Sequence, residues 1–239
     1  MAQTESEIAR LIDHTLLKPE ASREDIQRLC EEAIDYGFAS VCVNPWNVSQ
    51  AAELVRGTEV RVCAVVGFPL GATLSIVKAF EAGEALKAGA QEIDMVLNVG
   101  ALKSGQEALA EADIRGVVDA SHRAGALCKV ILETALLTRE EKVRGAHLAK
   151  KAGADFVKTS TGFGPGGATV EDVRLIRETV GSGTGIKAAG GVRTLEEVQK
   201  MVEAGATRIG TSSGVKIIEQ LRGANSASGA GSSGAGGKY

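Results

Sequence analysis

Five times along this chain a helical run ends at a glycine and an apolar stretch follows at once. The copies are YGFASVCVN, KAGAQEIDMV, RAGALCKVI, KAGADFVKT and EAGATRIGT. Gly37, Gly89, Gly125, Gly153 and Gly205 occupy the position where a helix end turns left-handed, which glycine does at no steric cost. The glycines are separated by 52, 36, 28 and 52 residues. Each long gap holds a further strand candidate, VRVCAVVG from Val60 and GIKAAGG from Gly185. A strand–helix unit every 25–35 residues or so therefore spans the chain, the pattern of an α/β fold with a parallel sheet.

The stretch LIDHTLL, before a helix starting near Ser22, adds an eighth strand. The run SREDIQRLCEEAIDYG has a capping serine, early acids and apolar residues at helical spacing, and TREEKVRGAHLAKKAG starts alike at Thr138. Strands that are apolar almost throughout belong between covering helices and a packed interior. Eight such units in 239 residues predict a (β/α)8 TIM barrel over residues 1–222, with a doubly wound open sheet as the alternative, because linear order does not show closure. From Gly223 the chain reads GANSASGAGSSGAGGKY. That composition predicts a flexible tail over 223–239.

Composition narrows the function. Aromatic residues are 3% of the chain, too few to stack single-stranded bases. Net charge is −3 with the two signs mixed, so neither nucleic acid nor a membrane surface is an expected partner. No run of eighteen apolar residues occurs, and MAQTESEIAR lacks the apolar core of a secretory leader. Cys30, Cys42, Cys63 and Cys128 form no CxxC pair, and three of them sit in apolar stretches and read as buried thiols of a reducing, cytoplasmic compartment.

Chemistry concentrates on three lysines. Lys129, Lys158 and Lys187 each interrupt an apolar strand, 29 residues apart in both steps. If each step is one strand–helix unit, they stand at similar heights on successive strands about 4.8 Å apart. Mutual repulsion then lowers at least one ammonium pKa and makes that amine a nucleophile for a carbonyl. The plain alternative is that each lysine reaches from a strand end into solvent. Asp94, in QEIDMVLNVG, faces inward if Ile93 and Met95 face the helices. There it either pairs with the lysines to order the barrel or passes protons to a substrate. Asp13, in LIDHTLL, either holds a substrate hydroxyl or caps the turn into the first helix.

Two loops suit a phosphate. AAGGVRTLEEV, with Gly190 and Gly191, and GTSSGVKII, with Gly210, Ser212 and Ser213, offer backbone amides ahead of helix N-termini. They are the loops after strands seven and eight, where barrels often seat phosphate. GFGPGG from Gly162 is a poor dinucleotide fingerprint, since it comes late and follows the lysine strand. It reads as a loop beside the site. His14, His122 and His147 lack ligand spacing, so no metal is expected. Cys42 reads as a core residue.

Taken together, LIDHTLLKP, SVCVNP, VVGFPLG, EIDMVLN, KVILET, FVKTSTGF, IKAAGGVR and RIGTSSG resemble the deoxyribose-phosphate aldolase family of class I aldolases from about Ile8 to Leu221. The resemblance implies a (β/α)8 barrel, a Schiff base on Lys158 and no cofactor. It further implies that Lys187 and Asp94 handle protons, with Lys129 orienting Asp94 or a hydroxyl. The phosphate is implied at the AAGGVR and GTSSG loops, with a sugar phosphate and acetaldehyde as ligands and a homodimer as assembly. It also implies that a terminal tyrosine, here Tyr239, enters the site and assists proton transfer, whereas composition alone makes the tail disordered. Two other readings of the residues are a barrel isomerase working without a covalent adduct and a sugar-phosphate-binding protein without catalysis.

Overall fold

The computed structural model describes residues 4–230. Its strands are β1 (Ile12–Leu16), β2 (Ser40–Val43), β3 (Arg61–Val66), β4 (Glu92–Val96), β5 (Leu127–Ile131), β6 (Phe156–Lys158), β7 (Gly185–Ala189) and β8 (Arg208–Thr211). All pair in parallel, each with its neighbour in sequence, and β8 closes on β1. The sheet is a closed (β/α)8 barrel, not an open doubly wound one. Around it run α1 (Glu5–Ala9), α2 (Arg23–Tyr36), α3 (Val48–Leu54), α4 (Ser75–Lys87) and α5 (Val99–Lys103). The ring continues with α6 (Glu107–Arg123), α7 (Arg139–Lys151), α8 (Val170–Val180), α9 (Leu195–Glu203) and α10 (Gly214–Ala230).

Local chemistry sets the helix ends. Ser22, Thr138 and Thr194 each form a capping box with the acid three residues on, which satisfies amides that have no partner inside the helix. All five joint glycines have positive φ. Gly37 closes α2 at φ 66°, where a side chain on Cβ would crowd the backbone. Helix α10 continues past Gly223 as far as Ala230. Alanine and serine extend a helix that is already nucleated at little cost. The rest of the expected tail, Tyr239 included, lies outside the described residues.

Strand alternation divides the core in two. The helix-facing set includes Ile12, Val41, Val62, Ile93, Val130, Val157, Ile186 and Ile209, each at most 1% exposed. Burial of each such side chain stabilises the fold by about 1.5–3 kcal/mol. The inward set is different. Leu17, Cys42, Cys63 and Val65 form a small apolar cluster, and the remaining centre of the barrel is charged.

Candidate active site

Inward-facing positions on six strands supply that charge. Lys129, Lys187, Asp13, Asp94 and Glu92 are fully buried, and Lys158 nearly so. Lys158 Nζ lies 2.8 Å from Asp94 Oδ2. Lys187 Nζ lies 2.7 Å from the same oxygen and 2.5 Å from Asp13 Oδ2. Lys129 Nζ sits on Asp94 Oδ1 at 2.9 Å and on Glu92 Oε2 at 2.5 Å. Arg208 Nη1 closes the network from below, bonding Asp13 Oδ1 at 2.6 Å and Glu92 Oε2 at 2.9 Å. Ser40 Oγ donates to Asp13 Oδ1 at 2.7 Å. Unpaired buried charges would cost several kcal/mol each, so the pairing decides whether this interior folds at all.

The lysines do not all stand at one height. Lys158 and Lys187 are register partners, whereas Lys129 pairs with Asp94 on one side and Phe156 on the other. Ile131 is the partner of Lys158, so Lys129 sits one inward layer lower. Equal spacing in sequence does not produce equal height, because the connection lengths and the stagger of a closed barrel both enter. The lower position leaves Lys129 beside Asp94, on its Oδ1, and out of the cavity lining.

The electrostatic outcome also departs from simple repulsion among lysines. Burial opposes the charge on Lys187, but Asp13 and Asp94 outweigh it and push the ammonium pKa up. The same holds for Lys129, where burial is overcome by Asp94 first and then Cys63, Asp13 and Glu92. Burial likewise opposes ionisation of Asp94, yet Lys129, Lys158 and Lys187 hold its carboxyl well below the usual carboxylate range. Burial opposes ionisation of Asp13 too, and Lys187, Lys129 and Arg208 together hold it below that range. Lys129, Lys158, Lys187 and Arg208 thus meet three carboxylates inside the barrel, and Arg61, half exposed, approaches Glu92 Oε1 at 3.5 Å.

Above this network opens a cavity of about 240 Å³. Lys158 lines it, together with Thr161, Gly162 and Phe163 of the loop that follows β6. Gly190, Gly191, Gly210 and Ser212 line it from the two expected phosphate loops. Ser213 is not among the described lining residues, and its N–H goes to Thr211 Oγ1 at 2.9 Å. Asp13 lies in the middle of β1 with its carboxyl on Lys187 and Arg208. It does not cap α2, whose cap is Ser22.

Several site residues escaped the sequence reading. Glu92 and Arg208 were legible by alternation, each two residues before an inward position, Asp94 and Gly210. Lys18 and Arg193 also line the cavity and bring two basic side chains to it beside the loops after β7 and β8. Both stand inside motifs already singled out, LIDHTLLKP and IKAAGGVR.

Two groups of side chains have the ligand types for a metal, Cys42–Cys63–Asp94 and Asp13–Cys63–Glu92, with ligand atoms within 4.8 Å of one another. In both, lysine nitrogens already occupy the carboxylates, so a divalent cation would enter among like charges. Burial raises the Cys63 thiol pKa well above its usual value, which disfavours the thiolate a metal needs. Two of the three histidines contribute to framework pairs instead, His14 with Glu32 at 2.6 Å and His122 with Asp155 at 2.9 Å.

A family model described as "DeoC/LacD family aldolase" matches residues 8–220. The chain is 61% identical over 215 residues to a deoxyribose-phosphate aldolase of Geobacillus sp. (strain WCH70), covering 90% of this chain and 96% of the relative. It is 59% identical over 220 residues to that of Thermococcus gammatolerans, covering 91% and 98%. Among solved structures, the deoxyribose phosphate aldolase of Aeropyrum pernix, described as a tetramer, superposes with a TM-score of 0.86 at 36% identity, covering 92% of each chain.

Proposed function

This chain belongs to the DeoC/LacD family of aldolases, and on that premise we propose that it cleaves 2-deoxy-D-ribose 5-phosphate reversibly to acetaldehyde and D-glyceraldehyde 3-phosphate through an imine on Lys158. One observation carries the reading. A buried amine and a seat for an anion share one cavity, with Lys158 in its wall and Gly190, Gly191, Gly210, Ser212, Lys18 and Arg193 around its rim.

Lys158, as the neutral amine, adds to the C1 aldehyde of the open-chain sugar, and loss of water leaves a protonated imine. A water held by Asp94 and Lys187 takes the proton of the C3 hydroxyl. The C2–C3 bond then breaks, its electron pair flows to the imine nitrogen as an enamine, and glyceraldehyde 3-phosphate leaves. Protonation of the enamine at C2 and hydrolysis free acetaldehyde and return Lys158. Lys187, as a neighbouring cation, favours the neutral form of the nucleophile. Lys129 and Asp13 act by position, Lys129 on Asp94 and Asp13 on Lys187. The imine is the electron sink, so the step uses no cofactor and no metal. Tyr239 relays the proton to C2 in this scheme.

Residues 1–222 form the catalytic domain and 223–239 its tail. The chain works as a homodimer in a reducing, cytoplasmic setting. Support comes from four free buried thiols and from exposed apolar side chains at Leu74, Ile76 and Phe80, which a second copy can cover. Among the described residues no helix is long and apolar enough to cross a membrane.

The test is trapping. Acetaldehyde with sodium borohydride should leave an ethyl adduct on the intact protein, and peptide mapping should place it on Lys158. Lys158→Ala should lose both the adduct and nearly all cleavage. An adduct on Lys129 or Lys187 would overturn the assignment, and no adduct at all would leave a non-covalent isomerase or a binding protein.

A further inference from the structure

Glu133 is the one described non-glycine residue with positive φ, at 57°, and its ψ is 63°. A glutamate held left-handed costs of order 1 kcal/mol or more, and such outliers persist where surrounding contacts over-determine them. Those contacts are visible. The residue follows the end of β5, is only 4% exposed, and leads directly into a short 3-10 turn at Thr134–Leu136. Its carboxyl Oε2 accepts from Thr161 Oγ1 and from the Thr161 N–H at 3.3 Å. The Thr161 hydroxyl in turn accepts the Phe163 N–H at 3.0 Å. Three groups of the β6–α8 loop are thus tied in series to one side chain.

The loop is pressed against that side chain. A Cβ at Gly164 would lie 2.8 Å from Glu133 Cδ, so only glycine allows the approach. Beyond it, Gly167 and Ala168 rest on the phosphate loop, where the Ala168 N–H donates to Gly190 O at 2.9 Å. The Phe163 ring meets Phe68 edge-on at 5.3 Å. Thr161, Gly162 and Phe163 form one wall of the cavity that contains Lys158. Lys158 itself is held by strand pairing with Ile131 and Lys187, by the Leu132 N–H on its carbonyl at 2.9 Å and by Asp94, none of which uses the Glu133 side chain.

From this geometry we propose that Glu133 is a positioning residue. Through Thr161 it fixes Gly162 and Phe163 as the wall that receives the phosphorylated three-carbon half of the sugar, and it leaves imine formation on Lys158 untouched. The inference rests on the aldolase reading above, and the experiment separates the two. Glu133→Gly removes the carboxyl while suiting the backbone, so it avoids the strain that an alanine would add. Thr161→Val removes the other half of the clamp. In each variant the KM for 2-deoxyribose 5-phosphate should rise about tenfold, the effect of a displaced wall that weakens binding of ground and transition states alike, while acetaldehyde trapping stays within about twofold of wild type. The double variant should be no worse than the worse single one, because both break the same link. Glu133→Gln keeps an acceptor oxygen and should restore KM. An unchanged KM in Glu133→Gly and Thr161→Val overturns the proposal. So does trapping that falls in step with cleavage, since that marks a general structural role. Absence of trapping in the wild-type protein sinks the aldolase reading, and this inference with it.

Discussion

Lys158 and Lys187 stand opposite one another on β6 and β7 and place both side-chain nitrogens on the same oxygen of Asp94, at 2.8 and 2.7 Å. One carboxylate oxygen therefore serves two basic groups, and only one of them has a second carboxylate, Asp13, at hand. The asymmetry assigns their roles. Lys187, between two acids, keeps its proton. Lys158 has one acid and stands at the cavity wall, the position that the proposed nucleophile needs.

Lys187→Leu should accordingly slow trapping at neutral pH. With Lys187 gone, Asp94 Oδ2 faces Lys158 alone, and the full attraction of that carboxylate acts on its nitrogen. Trapping rate measured against pH should show its rising limb at higher pH than in wild type. An unmoved limb would mean that the neighbouring cation does not control the nucleophile.

Arg208→Met should act at a distance. The side chain does not line the cavity, yet its loss removes a cation from the network and leaves Asp13 and Glu92 short of a partner. Denaturant unfolding should show a loss of about 3 kcal/mol. Trapping at neutral pH should fall as well, since removing a cation from beside these carboxylates leaves more of their attraction acting on the Lys158 nitrogen. Arg208→Met combined with Glu92→Gln should recover part of both effects. Single and double variants with equal losses would show that the charge count is irrelevant.

The network should be insensitive to pH over a wide middle range. Asp13 and Asp94 are depressed below the ordinary value of 3.8, so their contribution is complete above it and is lost as pH falls through their folded pKa. Lys129 and Lys187 are raised above 10.5, so theirs is complete below that value and is lost as pH rises through the folded pKa. His14 adds an unrelated acid-side loss below 6.5, because burial disfavours its charged form. Unfolding free energy should therefore be flat from about pH 7 to 8 and should begin to fall towards the ordinary thiol value of 9.0, because burial raises Cys30, Cys63 and Cys128 and keeps them protonated in the folded protein alone. A slope in that window that disappears in Asp94→Asn would contradict the assigned directions.

Anion recognition should separate from chemistry. Ser212→Ala and Lys18→Met alter residues at the rim of the cavity. Each should raise KM for the 5-phosphate by roughly three- to tenfold and leave cleavage of unphosphorylated 2-deoxyribose nearly unchanged. Ser213→Ala should do less than Ser212→Ala, because its N–H is already held by Thr211. Equal losses on both sugars would place the phosphate elsewhere.

The sequence by itself determined the elements and their faces. Glycine joints, capping boxes and strand alternation act over a few residues, so they are legible without coordinates, and they locate eight strands, the inward Asp94 and the loops after β7 and β8. Glu92 and Arg208 obey the same alternation and were within reach. Tertiary structure alone decided what those inward side chains meet. Closure brings β8 against β1 and so sets Arg208 on Asp13, 195 positions apart in the chain. Stagger places Lys129 a layer below Lys158 despite equal spacing. It also inserts three carboxylates among the lysines, which turns an expected repulsion into raised pKa values for Lys129 and Lys187. The reason is physical: backbone periodicity is a property of neighbours in sequence, whereas burial and Coulomb interaction depend on distance through space, and in a barrel that distance is set by register and closure.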